Sequence, residues 1–410
     1  MRKFIVLLMT VGSSLTATAG GPTYSRYGIG DLAYFGSNRA FAIGVLGIGL
    51  GGDGFINRFN PAGLSRISLT RLSAGFEFST MSLKDQTGAT KFARGDFQSF
   101  ALAVPISKEH GITLSAQTNP YSNVDYKVQV RELTAGSPST QTFTGIGGLS
   151  SLSLGLSYRP REDLSLGLKY SYVYGTIDQI TKVEFDDVSF TNSELHASRF
   201  HGGSVFTLGF LVEDLGSFLG SPSLKPFQVG AVISTPAKLS VREERLLLTS
   251  SSVDTTAVLR GKTDLPFSFG LGAGYQANER MLLTTDVFLQ GWQGANFFGG
   301  SSVGIRNSTR IAAGVEFLPK RVPSTYGDRI AYRAGFAYNS SYHSISGRAI
   351  NEWYLSGGTG LPIGPDVRLN LALHVGSRGT LDGGLQKSTF VRFSVSISAS
   401  EAWFLTLEED

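Results

Sequence analysis

Three short stretches have the residue types and spacing of known chemistry. Gly47, Gly49 and Gly52 satisfy G-x-G-x-x-G, the turn that brings a dinucleotide pyrophosphate against a helix N-terminus. Gly261-Lys262-Thr263 has the ending of a phosphate loop, and GSSVG from Gly300 to Gly304 has the form of a nucleophile elbow. Each chemistry needs particular elements around it. No strand–turn–helix unit surrounds the first stretch, and the second lacks the upstream glycine. The third leads from a loop into a strand, whereas an elbow needs a strand before it and a helix after. The five histidines, His110, His196, His201, His343 and His374, have no metal-ligand spacing, and no cysteine offers a thiolate or a disulfide. The reading is therefore of a chain that is not an enzyme, with no catalytic residues, metal or cofactor.

The N-terminus gives the compartment. Arg2 and Lys3 precede an apolar run from Phe4 to Met9, and Ala17 and Ala19 form an A-x-A site before Gly20. This is the pattern of a secretory signal peptide over residues 1–19. Lys and Arg total 36 against 32 acids, so losing Arg2 and Lys3 leaves 34 minus 32, a mature charge of about +2. The cations are scattered and not clustered with aromatics, so nucleic acid is not an expected partner.

Periodicity supplies the elements that must position any site. From Leu164 the chain reads LSLGLKYSYVYG, with Leu164, Leu166, Leu168, Tyr170, Tyr172 and Tyr174 on one face and Ser165, Gly167, Lys169 and Ser171 on the other. Such alternation marks a strand with one apolar face. It recurs at Leu152–Tyr158, Val367–Val375 and Val391–Ile397. The second face carries Gly, Ser, Thr and isolated charges: Arg71, Glu77, Asp286, Arg310, Glu316, Arg333, Arg368 and Arg392. A charge facing lipid at the bilayer midplane costs roughly 2–4 kcal/mol, whereas one facing a wet lumen costs little. Strands are expected at 69–80, 97–106, 111–131, 143–158, 164–185, 197–213, 225–246, 256–275, 280–290, 302–317, 329–338, 352–361, 367–376 and 389–399. The fold class is thus an all-β transmembrane antiparallel barrel of about fourteen strands over residues 68–410, in the outer membrane of a Gram-negative-type bacterium. Short turns (SKEH, RPRED, QANE, PIGPD) belong on the periplasmic side, with connections of about ten residues or more outside. Trp403 and Phe404 suit an interface. The connections 214–224 and 318–328 are longer than the rule expects.

A barrel of this size is too wide for its own small inward residues to fill. Residues 20–67 do not alternate, are rich in glycine, and are expected to fold inside the lumen as a hatch, with Phe35, Phe41, Phe55 and Phe59 supplying apolar contacts. YSRYGIGDL (Tyr24–Leu32), NRAFAIG (Asn38–Gly44), INRFNPAGLS (Ile56–Ser65) and NPYSNVDY (Asn119–Tyr126) resemble the FadL-type family of outer-membrane transporters for long-chain fatty acids and other hydrophobic compounds. Nearly the whole mature chain follows the family's strand rhythm, although only the NPAGLS element and its spacing are specific. The resemblance implies a fourteen-stranded barrel, an N-terminal hatch and a side opening at a kinked third strand. Asn60, Pro61, Ala62 and Gly63 match the hatch motif. Many relatives are alanine-rich where this chain has Gly44, Gly47, Gly49, Gly51, Gly52 and Gly54, which counts against a helix over 44–54.

Passive uptake of a hydrophobic small molecule or lipid by a monomer in outer-membrane lipid is the expected function. A PorV-like shuttle or anchor with a secretion partner is the alternative, since fold alone does not assign function. The expected ligand pocket lies between hatch and wall, lined by Phe41, Ile43, Leu46, Leu50 and Phe55, with Arg39 or Arg58 near a carboxylate head group. Pro120 has no N–H for a ladder. Because the apolar positions keep their phase on both sides of it, residues 111–131 are read as one strand, kinked and laterally open at Asn119, Pro120, Tyr121 and Ser122.

Overall fold

The computed structural model describes residues 23–403 apart from 87, 135, 250–252 and 301–303. The signal peptide, the first residues of the expected hatch, Ser301–Val303 of GSSVG and Phe404 lie outside the described residues. Fourteen antiparallel strands form the wall: β1 (Thr70–Lys84), β2 (Ala89–Ser107), β3 (Ile112–Thr134), β4 (Ser137–Arg161), β5 (Leu164–Phe185), β6 (Ser193–Val212), β7 (Phe227–Ser234 and Ala237–Thr249), β8 (Val253–Leu265 and Ser268–Gln276), β9 (Met281–Gln290), β10 (Ser308–Phe317), β11 (Ala331–Ile345), β12 (Arg348–Pro362), β13 (Val367–Gly379) and β14 (Lys387–Glu401). β14 pairs with β1 from Lys387–Lys84 to Glu401–Thr70 and closes the barrel.

Its polarity is inverted relative to a water-soluble fold. Phe76, Phe78, Tyr170, Tyr172, Phe336, Leu355 and Phe393 point outward and are exposed, while Ser73, Ser153, Ser165, Thr284, Asn370 and Ser394 point inward and are buried. Lipid is the solvent that makes this arrangement stable. The inward charges are accounted for: Arg71, Asp286, Arg310, Glu316 and Arg333 are all buried.

Two expectations need correction. Strands do not stop where the apolar alternation stops. β3, β4 and β5 run to 23, 25 and 22 residues, against 10 each in β9 and β10. A tilted transmembrane strand needs only about 9–11 residues, so the longer strands overhang the membrane on the outer side. Past the bulge at 121 the apolar positions of β3 turn inward, with Val124 and Tyr126 buried, so the face read as continuous with Leu114 changes sides. The outward positions (Lys127, Gln129, Arg131) are polar while the hydrogen-bond ladder continues, and the long outer loop expected after 338 shrinks to a turn at 346–347. The second correction concerns β7 and β8, each read as unbroken. They are interrupted side by side at Thr235-Pro236 and Pro266-Phe267, since proline cannot donate to the ladder. In addition, β10 begins at Ser308, not at 302.

Residues 23–67 run down the inside of this wall. Near the outer rim Ile29 packs with Tyr126, Leu149, Val173, Trp292, Phe297 and Tyr342 in an apolar cluster that fills the mouth. Lower down, α1 (Asn38–Ile43) is capped by Ser37 Oγ, which accepts from Ala40 N at 3.0 Å, and ends at Gly44 with φ 86°. No helix forms over 44–54. Instead Asp286 of β9 accepts from the backbone N–H groups of Leu46 (2.8 Å), Gly47 (2.7 Å) and Ile48 (3.3 Å). The glycine run that mimics a dinucleotide loop thus cradles the protein's own carboxylate.

Candidate functional site: a cavity behind an open seam

The site begins with one missing donor. β2 and β3 pair from Ser107–Ile112 up to Phe100–Thr118, and there their ladder ends. Above that level β2 stays paired to β1 and β3 stays paired to β4, with a bulge at Tyr121 between Pro120 and Ser122. The bend that carries β3 away is accommodated by its neighbours. Gly147 and Gly148 of β4 adopt φ 106° and 140°, and a Cβ on Gly148 would lie 2.9 Å from Asn123 Cα. The freed edge of β3 is met from inside by Asp31 and Leu32, which pair with Asn123 and Ser122, and Ala33 N donates to Tyr121 O at 3.0 Å.

Behind the seam lies a cavity of about 300 Å³, bordered by Phe92, Ala93 and Phe97 of β2, by Pro120 and Asn123 of β3, and by Leu32, Phe35 and Phe41 of the inner segment. Two ion pairs stand in its lining. Arg378 grips Asp31 with two hydrogen bonds of 2.6 and 2.5 Å, and Arg392 faces Glu352 at 3.2 and 3.4 Å. Burial acts to raise the Asp31 carboxyl, but the adjacent Arg378 outweighs it and holds Asp31 below the usual carboxylate range. On the far side, His374 stacks between Phe41 and Tyr354 at centroid distances of 3.9 and 4.4 Å, with its Nε2 2.8 Å from Phe41 O. The arrangement sets aromatic and aliphatic surface beside charged side chains that also include Glu77, Arg94, Asp96 and Arg310, a mixed lining suited to small amphipathic molecules.

The residues singled out in sequence distribute unevenly. Asn60 Oδ1 accepts from Ala62 N (3.0 Å), while its Nδ2 donates to Ile48 O (2.7 Å) and Phe210 O (3.0 Å), so Asn60 joins the inner segment to β6. Pro61, Ala62 and Gly63 form a buried single turn against the glycines of β5 and β6, Gly167 and Gly209, where any Cβ would collide with it. Asn119 and Tyr121 face a second space of about 130 Å³ across the Leu32–Phe35 segment from the first. Of the ligand candidates, Phe41 lines the seam cavity. Ile43, Leu46 and Leu50 are fully buried against the wall, and Arg39 is held by Glu316 at 2.6 Å. Arg58 is 3% exposed, lies 5.0 Å over Phe35 and donates to Ser99 Oγ at 2.7 Å. Sequence reasoning missed Asp31, Glu352 and Arg378 as lining residues. Glu352 and Arg378 share the inward phase of their strands, whereas Asp31 lies in the segment that does not alternate, and their convergence depends on how that inner segment crosses the lumen.

The fold is that of FadL-type outer-membrane barrels. Among solved structures, a Pseudomonas aeruginosa FadL homologue has 13% identity over 90% of this chain and 99% of its own, with a TM-score of 0.60. The CymD monoaromatic hydrocarbon channel has 13% identity over 90% and 98%, with 0.59, and the P. putida toluene transporter TodX has 14% over 85% and 93%, with 0.54. No curated protein matches the chain. The BamG family model matches residues 1–407, and the chain belongs to that family.

Proposed function

We propose that this barrel is a passive outer-membrane transporter for hydrophobic or amphipathic small molecules of the long-chain fatty acid kind, which leave its lumen sideways through the seam between β2 and β3. The observation that carries the reading is the coincidence of an ended ladder with a cavity of mixed aromatic and charged lining directly behind it. Backbone left unpaired at membrane depth is tolerated where it borders a cavity or a passage. Neighbours of the same fold named as channels for monoaromatic hydrocarbons and toluene are consistent with such a cargo. Residues 20–67 would then be the hatch, holding the cargo at the height of Pro120. The test is uptake of a fluorescent fatty acid by cells carrying wild type or Ala93→Trp, in which an indole fills the cavity at the seam. Uptake is expected to fall several-fold at equal surface levels. Equal uptake by the variant would remove the proposal.

A second reading, a PorV-like shuttle or anchor for protein secretion, is favoured by the apolar cluster around Trp292 and Tyr342 that fills the outer mouth. An anchor should purify with a stoichiometric protein partner and an empty seam cavity. A transporter should purify with lipid or detergent in it.

A further inference from the structure

A separate cavity of about 230 Å³ lies at the periplasmic ends of β1, β10, β11, β13 and β14, between the wall and residues 37–58. Its lining contains the guanidinium groups of Arg39, Arg58, Arg333 and Arg368 and a single carboxylate, Glu316. That carboxylate is already shared, at 2.6 Å from Arg39 and 2.9 Å from Arg333. Arg58 and Arg368 have no acidic side chain within ion-pair distance among the described residues. Arg58 Nε and Ser398 Oγ are buried donors with no hydrogen-bond partner, on residues 3% and 8% exposed.

Guanidinium groups brought together out of bulk water repel one another, and a buried donor left without an acceptor is destabilising. Structures retain such an arrangement when a counter-ion completes it. With four arginines against one carboxylate in its lining, the cavity is short of negative charge by about three. Planar guanidinium forks favour oxyanions that can accept two parallel hydrogen bonds, phosphate above all. The volume is just below the roughly 300 Å³ at which sites for drug-sized ligands begin, so it suits a small polar group and not a chain. Leu318 and Pro319 of the periplasmic connection form part of its border, which places the entrance at the periplasmic surface.

We infer that this cavity binds a phosphate group, with Arg39, Arg58, Arg333 and Arg368 as its cationic frame. The phosphate could come from free inorganic phosphate or from the headgroup of an inner-leaflet phospholipid. Both sources are tested on the full-length barrel in a non-ionic detergent stripped of phosphate. Calorimetric titration with inorganic phosphate, against chloride at matched ionic strength, forms one arm. Native mass spectrometry after exposure to phosphatidic acid in mixed micelles forms the other. Saturable binding in either arm supports the site, and the arm that responds identifies the source. Arg58→Gln should weaken binding by about tenfold or more, the loss expected for one charge-assisted contact. Because Arg58 is deeply buried, Arg368→Gln, at a half-buried position, serves as the variant that should keep its fold. Arg329→Gln, on the exposed periplasmic connection, should change nothing. No saturable binding in either arm, or an equal loss in the Arg329 variant, would overturn the inference.

Discussion

Asp286→Ala gives the sharpest test of how the inner segment is held. The Asp286 carboxylate accepts three backbone N–H groups, at 2.8, 2.7 and 3.3 Å, and is 2% exposed. Removing it leaves three buried donors without an acceptor. Hydrogen bonds to a charged group are worth about 1.5–3 kcal/mol each, and deleting one partner of a buried charged contact typically costs about 3–5 kcal/mol overall. The wall itself should survive, because β9 keeps its ladders to β8 and β10 on both sides of residue 286. The loss should therefore be local. Hydrogen exchange separates local from global opening. Taking about 3–5 kcal/mol at 1.4 kcal/mol per factor of ten, protection at Leu46, Gly47 and Ile48 should fall by roughly two to three and a half orders of magnitude. The amides of Val287 and Leu289 should be unaffected. Asp286→Asn keeps an acceptor oxygen and should show a smaller loss at the same three positions. Unchanged protection at Leu46–Ile48 in the alanine variant, or an equal loss throughout β9, would refute the local-anchor reasoning.

Three further outcomes follow from the same geometry. Asn60→Ala deletes the cap to Ala62 and both amide donations, and should lower stability by about 2–4 kcal/mol, read as a shifted guanidinium midpoint with unchanged slope. Replacing Asn119-Pro120 by Thr-Val should let the β2–β3 ladder extend past Thr118, leaving a folded barrel whose fatty-acid uptake is reduced; unchanged uptake with an extended ladder would separate the seam from transport. The Asp31 carboxyl is held low by Arg378, so its contribution is full above the ordinary carboxylate value of about 3.9 and disappears as pH falls through the folded value. Thermal stability of wild type should accordingly drop more steeply than that of Arg378→Gln below about pH 4, and parallel curves would show that the pair does not contribute.

What could be read from the sequence follows from what repeats locally. The two-residue period of Leu168, Tyr170, Tyr172 and Tyr174 reports a strand and its lipid face without knowledge of any partner, and summing such segments gives fourteen. The same signal is silent where lipid ends. Past Arg131 the apolar period stops, yet β3 continues to Thr134 and stays paired to β4 because the hydrogen-bond ladder does not need one. The NPAGLS turn was legible because Asn60 and Pro61 impose a local conformation. The role of Asp286 was not, because its three donors lie about 240 positions earlier in the chain. Sequence phase places that carboxylate inside the barrel but cannot say what it meets there. The four arginines of the periplasmic cavity were missed for the same reason: two belong to the inner segment and two to wall strands, and only the packing of one against the other brings them together.

Pro120 was the clearest local signal, and its meaning is completed by residues that look unrelated to it. A kink alone would leave the edge of β3 facing lipid with unpaired backbone, which a membrane does not tolerate. The inner segment supplies the missing partners. Asp31 and Leu32 pair with Asn123 and Ser122, Ala33 N reaches Tyr121 O, and higher up the hydroxyl of Ser25 lies 3.1 Å from Asp125 O and 3.2 Å from Asp125 N. The seam is therefore lined on its lumen side by a strand that does not belong to the wall. That strand is held from β13, beyond β14, β1 and β2 along the wall, by Arg378 on Asp31. Seam and inner segment consequently form one device. Any motion that draws residues 31–33 inward exposes the edge of β3, and any ligand that takes their place at that edge must first compete with the Arg378 grip.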